Sequence, residues 1–107
     1  MQTLYIVQNG DTNQYKIGIT NNLNRRLQEI QLGCPYELKI IKIWTHYNRE
    51  IIEKYERVLH RFFTECGCRI RKNGEWFTLA KPDITLLCKP QTISEQNEII
   101  KNLLKML

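Results

Sequence analysis

Two side chains stand apart from the ion pairing that accounts for their neighbours. In the helical pattern over residues 22 to 32, Leu23, Leu27 and Ile30 mark an apolar face. Arg25 lies nearly opposite that face, four residues before Glu29, an order that favours a surface pair. Arg26 lies about 65° from the centre of the stripe at 100° per residue, and no acidic residue follows it at i+4. A guanidinium in that position either snorkels outward or lines a cleft between helix and sheet. In a second pattern over residues 48 to 65, Glu50 can pair with Lys54 and Glu53 with Arg57, but Glu56 has no basic residue three or four positions on. His60 shares its face. A carboxylate at a core edge is a candidate ligand for a hard divalent cation; the alternative is a solvated glutamate beside a weakly interacting histidine. Two such residues on two helices facing one sheet favour a shared site.

The elements that must position them follow from the pattern. Leu4 to Val7 is an apolar run ending at the turn signal Asn9-Gly10-Asp11, and Tyr15 to Thr20 resumes as its hairpin partner. Asn21 or Asn22 can cap the first helix, which Gly33 and Pro35 stop. Glu37 to Thr45 reads as a third strand. The second helix places Ile51, Ile52, Tyr55, Val58, Leu59, Phe62 and Phe63 toward the core and ends at Cys66-Gly67-Cys68. Arg69 to Gly74 is a basic turn before a short strand, Glu75 to Leu79. Residues 81 to 91, with Pro82 and Pro90, read as irregular or linker-like, with a turn of structure over Ile84 to Leu87 as the alternative. Thr92 with Glu95 resembles a capping box opening a last amphipathic helix to Leu107. The fold class expected is α+β: a small antiparallel or mixed three-stranded sheet (a ββαβα core) flanked by helices, with an extra short strand and a C-terminal helix. The domain runs over residues 1 to 80, and residues 81 to 107 form a linker and a helix packed on it.

Composition narrows the class. The 107 residues, 42% hydrophobic and 25% charged, suit one globular domain and exclude disordered, collagen-like and coiled-coil chains. No apolar run is long enough to span a membrane, and the N-terminus lacks the features of a signal peptide, so an intracellular location is expected and a membrane partner is not. Sixteen Lys and Arg against eleven Asp and Glu give +5, which favours an anionic partner, nucleic acid first. Cys66 and Cys68 with His60 offer a zinc reading, but no second ligand pair accompanies them, and free thiols are expected for all four cysteines.

Tyr5 in the first strand is followed eleven residues later by Lys16-Ile17-Gly18, and Arg26 comes eight residues after that glycine. The order Thr3-Leu4-Tyr5, Lys16 to Thr20, Arg25-Arg26, Glu56 to His60 and Gly74 to Phe77 resembles the GIY-YIG nuclease superfamily over residues 3 to 79. It is most similar to the branch, common in phages and large viruses, with KIG, E-x-x-LH and GEWF motifs. The resemblance implies a metal-dependent DNA endonuclease, acting as a monomer or homodimer. Tyr5 would activate or orient water, helped by a nearby cation that lowers its pKa, and Arg26 would hold the scissile phosphate. Glu56 would bind Mg²⁺ or Mn²⁺. His60 would bind phosphate, protonate the leaving group or orient Glu56. Lys16 stands where the family has its second tyrosine and would add charge at the phosphate. Gly18 would let the DNA backbone approach, Thr20 would contact phosphate or start the helix, and Arg25, Arg69, Arg71 and Lys72 would track DNA phosphates. Trp76 and Phe77 read as aromatics closing the sheet. Glu75 reads as exposed or bonded to backbone, with a metal-ligand role as its alternative, and His46 as a surface residue. A non-catalytic nucleic-acid-binding module on the same fold is the competing reading, to which Lys16 and the basic balance point.

Overall fold

The first hairpin turns where a positive φ is required. Gly10 adopts φ 59°, and a Cβ there would sit 2.6 Å from that of Tyr36, so both conformation and space demand glycine. In the computed structural model, which describes residues 2–46, 48–70 and 74–88, this turn joins strands β1 (Gln2–Asn9) and β2 (Gln14–Thr20). Their pairing is antiparallel and sets Tyr5 opposite Gly18 and Val7 opposite Lys16. Helix α1 (Leu23–Leu32) starts at Asn22, whose side chain accepts the Arg25 N–H. Strand β3 (Leu38–His46) returns antiparallel along the other edge of β1. Helix α2 (Arg49–Glu65) is capped by Asn48, and strand β4 (Trp76–Thr78) pairs antiparallel with Gln14–Lys16 of β2. The sheet therefore has four strands in the order β3-β1-β2-β4, the expected extra strand being part of it.

Strand alternation sends the side chains to two cores. Leu4, Ile6, Tyr15, Ile17 and Phe77 pack with Ile52, Tyr55, Val58, Leu59 and Phe63 of α2. On the opposite face Tyr5 and Val7 pack with Leu23, Leu27 and Ile30 of α1. The two helices thus face one sheet from opposite sides. Ile51 and Phe62, placed toward the core by periodicity, are only partly buried.

Three local expectations are corrected. Residues Lys81–Cys88 form a helix, α3, rather than a linker. Pro82 falls in its first turn, where no intrahelical N–H is lost, Asp83 accepts the Ala80 N–H at 3.2 Å, and Leu87 is buried in the α2-side core. On α2, Glu53 pairs with Arg49 rather than Arg57. His46 is buried, 6% exposed, and its Nδ1 accepts the Asn48 N–H at 2.8 Å. The expected helix over residues 92 to 107 lies outside the described residues.

Candidate functional site

The site grows from one cross-strand pair. Tyr5 points to the α1 face and is 1% exposed; its ring runs across the neighbouring strand over Gly18. A Cβ at residue 18 would lie 2.4 Å from the phenol oxygen and 2.6 Å from the ring. Gly18 is therefore required to be glycine by the tyrosine packed within the protein, a reason that periodicity and motif did not supply. The Arg26 Nε donates to the phenol oxygen at 3.2 Å. Burial pushes the Tyr5 pKa up, with the Arg26 bond opposing and the Glu75 charge adding to the rise. Burial outweighs the cation here, against the expectation of a lowered value.

Arg26 is not unpaired. Its Nη1 lies 3.3 Å from Glu29, which Arg25 also holds at 3.1 Å, and its Nη2 lies 3.6 Å from Glu75. Lys16, on the same face of β2, sits 3.4 Å from the same Glu75 oxygen and 5.4 Å from the centre of the Trp76 ring. That oxygen is buried and has no hydrogen bond of good geometry; two cations hold it instead. Glu75 thus joins the two cations: its side chain is 37% exposed, but its buried oxygen is turned to Lys16 and Arg26 and not to backbone. The sequence signal for it was slight, because its place depends on β4 pairing with β2 in the register that sets Trp76 against Lys16.

The third contributor comes round the sheet edge. β4 covers β2 only as far as Lys16, with one further bond from the Ile17 N–H to the Glu75 carbonyl at 3.1 Å. Beyond that, among the described residues, no strand lies against the outer edge of β2. Residues i and i+4 of α2 fill the gap. The His60 Nε2 donates to the Ile17 carbonyl at 2.7 Å, and one turn earlier the Glu56 carboxylate lies near the Ile19 backbone, which favours its charged form. Burial, then the charges of Glu75 and Glu53, push the Glu56 carboxyl up to about 7, and its charge reaches the Tyr5 phenol. Arg26 and Glu56 thus sit on opposite faces of the sheet, and only charge couples the Glu56 carboxylate to Glu75 and Tyr5 past this edge.

His60 accepts from Arg69 Nη2 through Nδ1 at 3.4 Å, so both ring nitrogens have protein partners, and burial lowers its pKa. Arg69 also donates to the Gly74 carbonyl at 2.7 Å and lies over the Phe77 ring. It braces the turn instead of standing in solvent. The Thr20 hydroxyl accepts the Asn22 N–H at 3.1 Å, at the start of α1. Thr20, Asn21, Asn22, Arg25, Arg26 and Glu29 line a cavity of about 180 Å³ beside the guanidinium. Arg71 and Lys72 lie outside the described residues.

A divalent cation fits this donor set in one way. Among the described residues no three His, Cys, Asp or Glu side chains sit together as a cage. Glu56 offers a carboxylate that burial disfavours as an anion, which a cation would relieve. One carboxylate suits Mg²⁺, which keeps several waters and completes its shell with substrate phosphate. No helix of the described chain is long and apolar enough to cross a membrane. No curated protein and no solved structure matches the sequence. The family model of the T5orf172 domain matches residues 2–101, and the chain belongs to that family.

Proposed function

We propose that the protein is a metal-dependent DNA endonuclease of GIY-YIG type. The observation that carries this reading is the Tyr5 phenol, held by Arg26 over Gly18, with Lys16 and Arg26 converging on one Glu75 oxygen beside it. Arg26 and Lys16 supply fixed positive charge for a phosphodiester, where charge builds as water attacks phosphorus and the ester oxygen departs. Tyr5 holds the attacking water by a hydrogen bond instead of ionising, since burial keeps its proton on; its oxygen already accepts from Arg26, leaving its O–H to donate. Glu56 would hold Mg²⁺ or Mn²⁺. When bound, such an ion neutralises phosphoryl charge and acidifies water. His60 positions Glu56 by tying the next turn of α2 to the same strand edge.

Supercoiled plasmid with Mg²⁺ or Mn²⁺ tests the proposal. Nicking by the wild type is expected, with losses of roughly a hundredfold or more for Arg26→Ala and Glu56→Ala. Wild type that binds but never nicks would favour the competing binding module, to which Lys16 in the second tyrosine position and the raised Tyr5 pKa lend support.

A further inference from the structure

On the α1 face, beyond Lys16, a cavity of about 410 Å³ opens between the first hairpin, the end of α1 and β4. Its size falls in the range of small-molecule sites, about 300 to 1,000 Å³. Asn9, Gln14, Cys34 and Trp76 line it. Among the described residues the lining carries no charge. Asn9 is 7% exposed, and its Oδ1 is a buried acceptor with no hydrogen-bond partner. Its Nδ2 donates to the Gln14 side chain at 3.4 Å. A buried amide oxygen left unpaired costs stability unless something donates to it.

At the cavity's margin stands Lys16, paired with Glu75 at 3.4 Å. The Lys16 ammonium lies over Trp76, and its charge also reaches Cys34. An aromatic wall and an unpaired acceptor, in a cavity whose described lining is uncharged and which opens beside a lysine, match one chemical unit: a nucleotide within a strand, base inside and phosphate outside. We propose that this cavity seats one nucleobase of the bound DNA strand, turned out of its stack next to the phosphate at Lys16. Trp76 supplies the stacking surface, and Asn9 Oδ1 accepts an N–H from the base edge. The proposal rests on DNA being the substrate, and it does not depend on cleavage.

Binding in EDTA separates the two. A single-stranded deoxycytidine decamer, whose exocyclic amine can donate to Asn9, is compared with an abasic decamer of equal charge. Wild type is expected to prefer the base-bearing strand about tenfold or more. Trp76→Leu is expected to bring that ratio close to one, and Gln14→Ala, which removes the hydrogen bond that holds the Asn9 amide, to lower it. An unchanged ratio in both variants would overturn the seat. Because Trp76 also packs against the α1-side core, a measurement on the wild type stands beside the variants. Alkylation of Cys34 by N-ethylmaleimide, mapped on its peptide, should slow with the deoxycytidine decamer and not with the abasic one. Equal labelling with both overturns the proposal. A protein that never nicks plasmid yet passes these tests loses the endonuclease reading and keeps the seat; one that nicks but shows no base preference loses only the seat.

Discussion

At the scale of single residues, the site is a set of charges and one phenol held where water would not leave them. Gly18→Ala places a methyl 2.4 Å from the Tyr5 oxygen, so either the buried ring or the strand must move. The cost expected is about 1–3 kcal/mol, read as a lower Tm, together with loss of nicking. Glu56 carries a pH signature. Its carboxyl rises from 4.5 unfolded to about 7 folded, so the stability it contributes is complete below pH 4.5 and is lost as pH climbs through 7. Wild type should lose about 2 kcal/mol relative to Glu56→Gln across that window, measured by denaturant unfolding at several pH values. Mn²⁺ at pH 8 should raise the Tm of wild type and not of Glu56→Gln. Glu75 occupies the seat between Lys16 and Arg26 that a phosphate would take. Its replacement by Gln should therefore tighten DNA binding in EDTA about fivefold; weaker binding would mean the carboxylate aligns the two cations. Arg26 stands out in sequence for lacking an acidic residue at i+4, yet it pairs with Glu29 at i+3; Glu56 stands out for lacking a basic residue at i+3 or i+4. Glu75 does not stand out, since nothing near it in sequence shows the two cations it joins.

At the scale of elements, helix ends do the aiming. Asn22 caps α1 one turn before Arg26, and Thr20 fixes the approach to that cap. Asn22→Ala should cost about 1 kcal/mol. Its effect on nicking should exceed that of an equal loss elsewhere, such as Asp83→Ala at the start of α3, with Tm and activity measured on both. The hairpin, α1, β3 and α2 were readable because their turn residues and periodicities agreed with the tertiary structure. The segment over Lys81–Cys88 was misread because two prolines were taken as breakers, although Pro82 sits where a helix tolerates it. The surface pairs of α2 were misread for another reason: Glu53 has two candidate partners on its helix, and spacing alone does not rank Arg49 against Arg57.

At the scale of the whole molecule, the net charge of +5 and the sheet's asymmetry act together. DNA binding should weaken steeply with salt, and Lys16→Ala or Arg26→Ala should each flatten the slope of log K against log salt by about one, measured by titration in EDTA. Sequence pattern assigned α1 and α2 to one sheet but not to its opposite faces, because an amphipathic stripe says that a helix packs and not on which side. It was also silent on where those faces communicate, which is decided by how few residues of β4 reach along β2.

Among the described residues that short strand leaves residues 17–20 uncovered by any neighbouring strand, an edge suited to a particular kind of inhibitor. A peptide in extended conformation, zipping onto residues 17–20 as a fifth strand, would claim the Ile17 carbonyl from its present holder and the Ile19 backbone from beside Glu56. It would evict His60 and Glu56 in one motion while leaving the phenol and guanidinium untouched.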